Sequence, residues 1–147
     1  MSREATRLEA AEWEAALPDD VVTVAERPTT VDELLAGVPV TEPALVGQIR
    51  VASLVQSRPE LANRVLQAVV CGWLNEYLRG HEFDDAAAVA AAGEAIASVA
   101  DWPVTRASSD RTYSSFTVRA DGTIIYDGTG EPIDGTNLAL VCGSGVG

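Results

Sequence analysis

The apolar residues of this chain follow two rhythms. From Leu8 to Val99 they recur at three- and four-residue spacing, the period of helices lying against a core. Beyond Pro103 they gather in short runs separated by Asp and Gly, the habit of strands and turns. In the first regime Ser2 caps a helix expected to run to Leu17, whose thin stripe of Leu8, Ala11 and Ala15 between glutamates suits a peripheral element better than a core one. Pro18 stops it, and Val21, Val22 and Val24 before Pro28 predict a short strand or extended arm. Thr30 to Glu33 spells a capping box for a short helix over Val31, Leu34 and Leu35, closed by Gly37. Thr41 to Gln56 predicts a further helix that is apolar on more than one side.

Ser57 to Glu60 spells a second capping box, with Pro59 in the first turn, where a missing N–H costs nothing. The helix behind it carries Leu61, Val65, Leu66, Val69, Trp73, Leu74, Tyr77 and Leu78, and Gly80 is expected to end it in a left-handed conformation. Phe83 and Asp84 are expected to staple and cap the next helix, where Val89, Ala92, Ile96 and Val99 keep a heptad-like spacing. Its remaining Ala positions and Gly93 permit close approach, which predicts a place at the centre of a bundle. After Pro103, residues 115–118 and 124–126 around Asp121-Gly122 predict a hairpin with a two-residue turn, and Leu138 to Cys142 a further strand. Asp-Gly-Thr recurs at Asp121, Asp127 and Asp134; each copy makes a good turn, and the alternating carboxylates of a calcium loop are missing.

The predicted fold class is therefore α+β, mainly α: a bundle of about four to five helices with a C-terminal antiparallel β-hairpin unit. At 147 residues the chain is one domain, with a peripheral helix and arm at 1–28, a helical body at 29–102 and a β-rich part at 103–147. No apolar run is long enough for a membrane span, and the polar Met1 to Leu17 segment does not read as a leader. Cys71 and Cys142 lie in apolar runs with no CxxC and read as small buried hydrophobes.

Charge alters the picture. Twenty-two acids against ten Arg give a net charge of −12, which opposes binding to nucleic acid or to an anionic membrane. Residues 1–42 carry ten acids and three Arg, whereas residues 43–81 carry Glu60 and Glu76 against Arg50, Arg58, Arg64 and Arg79. Such a distribution is self-complementary, one copy's centre facing another copy's flank; it is also what an ordinary solvated surface can show.

Candidate chemistry is sparse. The chain has no Lys, so Walker-type phosphate binding and Schiff-base catalysis lack their central residue. Its one histidine, His81, follows Gly80 at a helix end, where the dipole favours a solvated imidazolium. Gly143-Ser144-Gly145 has no helix behind it to make a nucleophile elbow. Asp84 and Asp85 read as a cap and its neighbour rather than a metal pair. Trp73 and Tyr77 fall on a core face, while Trp13, on an acidic helix, suits an intersubunit anchor. Arg50, Arg58, Arg106, Arg111 and Arg119 complete the candidate interaction residues, Arg being the cation best shaped for bidentate pairing with a partner's carboxylates. No cofactor and no metal is expected.

Residues 29–80 resemble tailed-phage head-tail connector proteins of the adaptor type. The likeness lies in Thr-Thr-Val-Asp-Glu-Leu-Leu-Ala-Gly, the Pro-containing link, the helix with Ile49-Arg50-Val51-Ala52-Ser53-Leu54-Val55 and the helix with Val65-Leu66-Gln67-Ala68-Val69-Val70. The resemblance implies a small helical bundle that assembles into a ring, without catalytic residues. The acidic helix from Ser2 to Leu17 and the Ala-rich helix from Asp84 to Ala100 depart from that pattern. The expected function is thus a non-catalytic assembly protein whose partners are copies of itself and neighbouring virion proteins. It would reside in the virion, or in the cytoplasm if it is not a phage protein. The alternatives are an acidic immunity protein or antitoxin that covers a basic partner and, third, a cofactor-free hydrolase built on His81.

Overall fold

The structure, a computed structural model, describes residues 21–53, 55–109 and 116–142. The predicted helix from Ser2 to Leu17 with Trp13, Arg111, and Gly143-Ser144-Gly145 lie outside the described residues. The path opens with a short strand, β1 (Val21–Val22). Glu26 Oε1 accepts from the Thr23 N–H at 3.1 Å and from its hydroxyl at 2.8 Å, and Thr23 Oγ1 accepts from the Glu26 N–H at 3.3 Å. This reciprocal cap starts α1 (Arg27–Leu34) ahead of the expected Thr30 box. Pro28 therefore sits in the first helical turn instead of ending an arm, and Thr30 donates its hydroxyl back to Glu26 O.

α2 (Pro43–Val51) is shorter than its apolar pattern predicts. Ala52 is already extended at ψ 137°, because β2 (Gln56–Ser57) pairs antiparallel with β1, Val21 opposite Ser57. Arg27 locks this corner from below. It is 1% exposed and donates from Nε to Ile49 O at 2.5 Å and from a terminal nitrogen to Gln56 Oε1 at 3.0 Å.

The Ser57–Glu60 capping box is present as predicted, with Glu60 N–H to Ser57 Oγ at 3.2 Å and Ser57 N–H to Glu60 Oε1 at 3.3 Å. It starts α3 (Arg58–Glu82), the axis of the molecule, against which the other helices pack. Leu61, Val65, Leu66, Val69, Val70 and Leu74 are exposed by 1% or less. Each such side chain contributes about 1.5–3 kcal/mol relative to an exposed one.

Gly80 is not a stop. It is buried in the last turns of α3, and a methyl group there would lie 2.8 Å from Val89 Cγ2 and 3.1 Å from Asp85 O, so glycine is needed for close approach. The left-handed residue is Asp84 at φ 52°. Phe83 remains 67% exposed rather than stapling, and Asp85 takes the capping role expected of Asp84, its Oδ1 accepting the Ala88 N–H at 3.1 Å.

That cap opens α4 (Ala86–Ala97), which flanks α3 instead of forming the centre and leaves Ala86, Ala87, Ala90 and Ala91 exposed. A 3₁₀ turn at Val99–Asp101 and a short α5 (Pro103–Ala107) follow, so the chain stays helical past the point where β structure was expected. Pro103 once more opens a helix, its missing N–H falling in the first turn. Asn63 of α3 holds the end of α5: Oδ1 accepts from the Ser108 hydroxyl and the Ser109 N–H, and Nδ2 donates to Ser109 Oγ at 3.0 Å.

The sheet has the order β3 (Phe116–Val118), β4 (Ile124–Tyr126), β5 (Glu131–Pro132), antiparallel throughout. Val118 opposes Ile124, so the hairpin turn is longer than the two residues predicted. Arg119 N–H bonds Thr123 O and Gly122 N–H bonds Arg119 O, both at 2.9 Å, with Gly122 at φ 89° in the bulge position of a three-residue loop. Ile124 is fully buried, and its N–H reaches the Tyr77 hydroxyl of α3 at 3.3 Å.

The predicted strand from Leu138 to Cys142 is instead part of α6 (Gly135–Cys142). Asp134 starts it by accepting the Asn137 N–H at 2.8 Å, so the third Asp-Gly-Thr is a helix start rather than a turn. The helix places Leu138, Val141 and Cys142 toward the core. Cys142 is joined to Cys71 of α3 by a disulfide with a Cα–Cα distance of 5.9 Å. Both sulfur-bearing residues are buried as predicted; their bond was not anticipated. The fold is α+β and mainly α, with two helices, α5 and α6, in the region expected to be β-rich.

Candidate functional site

The arginines proposed as partner contacts separate into two groups. Arg50 makes a two-pronged ion pair with Asp32, both N···O distances 3.0 Å, fastening α2 to α1. Arg58 reaches Glu33 at 3.6 Å. Arg79 bonds both Glu76, at 2.5 Å, and Asp85, at 3.2 Å, across the α3–α4 junction. The positive balance of residues 43–81 is therefore largely answered by the chain's own acids, and the self-complementary charge pattern loses its basic half. Arg106 on α5 and Arg119 at the hairpin are exposed, on separate elements, and are not brought into one site with Arg50 and Arg58.

The shifted carboxylates move in one direction. Glu26 is lowered by the Thr23 hydroxyl, Glu76 by Arg79, Asp85 by the Ala88 N–H and then Arg79, and Asp121 by the Thr123 N–H. Glu26 and Asp85 are bound in this way at helix starts and Asp121 at a turn, while Glu76 is paired with Arg79 within α3. Arg27 moves downward, burial first and Arg64 second, yet a guanidinium remains charged.

The concave features lie around α3 and α4. Trp73, expected as core, is only half-buried and donates from Nε1 to Pro39 O at 2.9 Å. With Ala91 it separates two adjoining hollows of about 350 and 330 Å³, one reaching Trp102 and Glu94, the other Thr41 and Glu76. Together they form a trough of mixed character, apolar at Trp73, Ala91 and Trp102 and lined also by Glu76 and Glu94. A third hollow of about 530 Å³ lies between His81, Asp84 and the Asp121-Gly122 hairpin tip. His81 is exposed, its ring edge-on to Tyr77 at 4.5 Å.

Among the described residues no group of three or more His, Cys, Asp or Glu converges as a metal site, and no helix is long and apolar enough to cross a membrane. Sequence reading overlooked the trough because Trp73 shares the helical period of true core residues; its neighbours at 37–41 come from a distant stretch of chain. In comparisons with known proteins, no family model, curated protein or solved structure matches this chain.

Proposed function

We propose that the chain is a non-catalytic assembly protein, most concretely a head-tail connector subunit that forms a ring and meets neighbouring virion proteins. The observation that carries this reading is the half-buried Trp73 with hollows on either side of it, a partly apolar surface open to another chain and lined also by Glu76 and Glu94. The Cys71–Cys142 disulfide supports a protein that ends in an oxidising setting, as a released particle does, over one retained in a reducing cytoplasm. With Arg50, Arg58 and Arg79 paired internally, contacts between copies fall to apolar surface, chiefly the Trp73 trough and exposed Val51 and Phe83. Light scattering on the purified chain at high concentration is expected to show a defined closed oligomer. A strict monomer that joins no particle would end the proposal.

The internal pairing of those arginines also favours a second reading, an acidic protein that blocks a basic partner, since no Asp or Glu among the described residues is buried. Tight one-to-one, salt-sensitive binding to a basic toxin, slowed by Asp and Glu substitutions, would select it.

A further inference from the structure

The Cys71–Cys142 bond is the strongest tie between α6 and the rest of the molecule. α6 spans Gly135–Cys142, too short for an isolated helix to persist in water. Among the described residues its other attachments to α3 are few. Val141 is buried, Leu138 is partly buried, Gln67 Nε2 reaches Cys142 O at 3.4 Å, and Leu140 is 74% exposed. The helices α1, α2, α4 and α5 each pack on α3 as well. We propose that this disulfide is a redox latch: oxidised, it holds α6 on α3; reduced, it lets α6 undock while the remaining helices stay folded.

The reductant is a dithiol, and the exchange balances. Its first thiolate attacks Cys142 Sγ, forming a mixed disulfide and releasing the Cys71 thiolate, which takes up a proton. Its second thiol then displaces Cys142 as a thiol, leaving the reductant as a disulfide. Cys142 is 3% exposed and Cys71 0%, so attack has to wait for α6 to lift, and Cys71 is a poor leaving group while its surroundings stay apolar. Opening of α6 therefore sets the rate of reduction. What undocking bares is the stripe of α3 around Gln67 and Cys71. The latch operates whether the partner is another copy or a different protein.

Hydrogen exchange read by mass spectrometry on the full chain, with and without dithiothreitol, tests this, with thiol alkylation reporting the redox state. Reduction is expected to raise exchange in 135–142 and leave 61–78 protected. The Val141→Ala variant, still oxidised, should be reduced roughly tenfold faster than the parent because its α6 opens more often. Unchanged exchange in α6 after complete reduction would overturn the latch. So would loss of protection throughout α3, which would make the bond a staple for the whole fold. Equal reduction rates for Val141→Ala and the parent would remove the opening step, and the Cys142→Ser variant should reproduce the reduced exchange pattern without reductant.

Discussion

A methyl group at Gly80 would press on Val89 Cγ2 at 2.8 Å and on the backbone of Asp85 and Val89 at 3.1 Å, and backbone cannot rotate away. Alanine is the better helix former by about 1 kcal/mol, but overpacking costs about 1–3 kcal/mol. Gly80→Ala is thus expected to lose up to about 2 kcal/mol of stability in urea denaturation. Gly93 provides the contrast. A methyl there would meet Val118 Cγ1 at an ordinary 3.7 Å, so Gly93→Ala should be neutral or gain up to about 1 kcal/mol by the same assay. In the sequence Gly80 reads as a helix stop and Gly93 as a position that permits close approach. Their difference lies in which neighbour arrives across space. Arg27 makes the same point from the opposite side. Arginine is almost never fully buried unless paired, and here the meeting with Ile49 O and Gln56 accounts for burying Arg27.

The α3–α4 junction is where elements respond to pH. Glu76 and Asp85 hold Arg79 between them, and Asp85 also caps α4. Both carboxyls have folded-state pKa values below their ordinary ones, so they add stability that is fully present above the unfolded pKa and lost as pH falls through the folded value. Denaturation midpoints are expected to be flat above about pH 5 and to fall below about pH 4. In the Asp85→Asn variant the acid limb should be shallower, and an unchanged limb would contradict the assignment. Elements with local signals could be read in advance. The Ser57–Glu60 box and the unbroken apolar stripe placed α3 to within its first residue, and Asp85 lies one position from the expected cap. α6 could not be read. Leu138, Ala139, Leu140, Val141 and Cys142 form a short apolar run without periodic contrast, and helix prevailed over strand because Asp134 caps it and Cys71 receives its end. α2 likewise ended early because the pairing of β1 with β2, a contact between distant stretches, outweighed local helical preference.

For the whole molecule, the disulfide closes a loop between residues 71 positions apart. Chain-entropy reasoning assigns such a cross-link about 4 kcal/mol, largely by restricting the unfolded chain. Reduction or Cys71→Ser is accordingly expected to lower the melting temperature by about 10 °C in calorimetry while circular dichroism keeps its helical signature. This test is separate from the latch, since a constraint on the unfolded state lowers the melting point whether or not α6 undocks. The net charge of −12 acts at the same scale. With Arg50, Arg58 and Arg79 held internally, copies repel one another at low ionic strength, so the oligomer proposed above should strengthen with added salt. An acidic blocker of a basic partner would instead bind more weakly as salt rises.

By itself the sequence determined a mainly helical α+β fold centred on the 58–82 helix, because apolar period and capping boxes are local properties that survive without knowledge of neighbours. The tertiary structure alone decided which glycine is a close contact and which arginine is buried. It also paired the two cysteines and turned the final apolar run into a helix. Each of these depends on groups far apart in the chain, whose meeting is fixed by packing and not by any spacing along it.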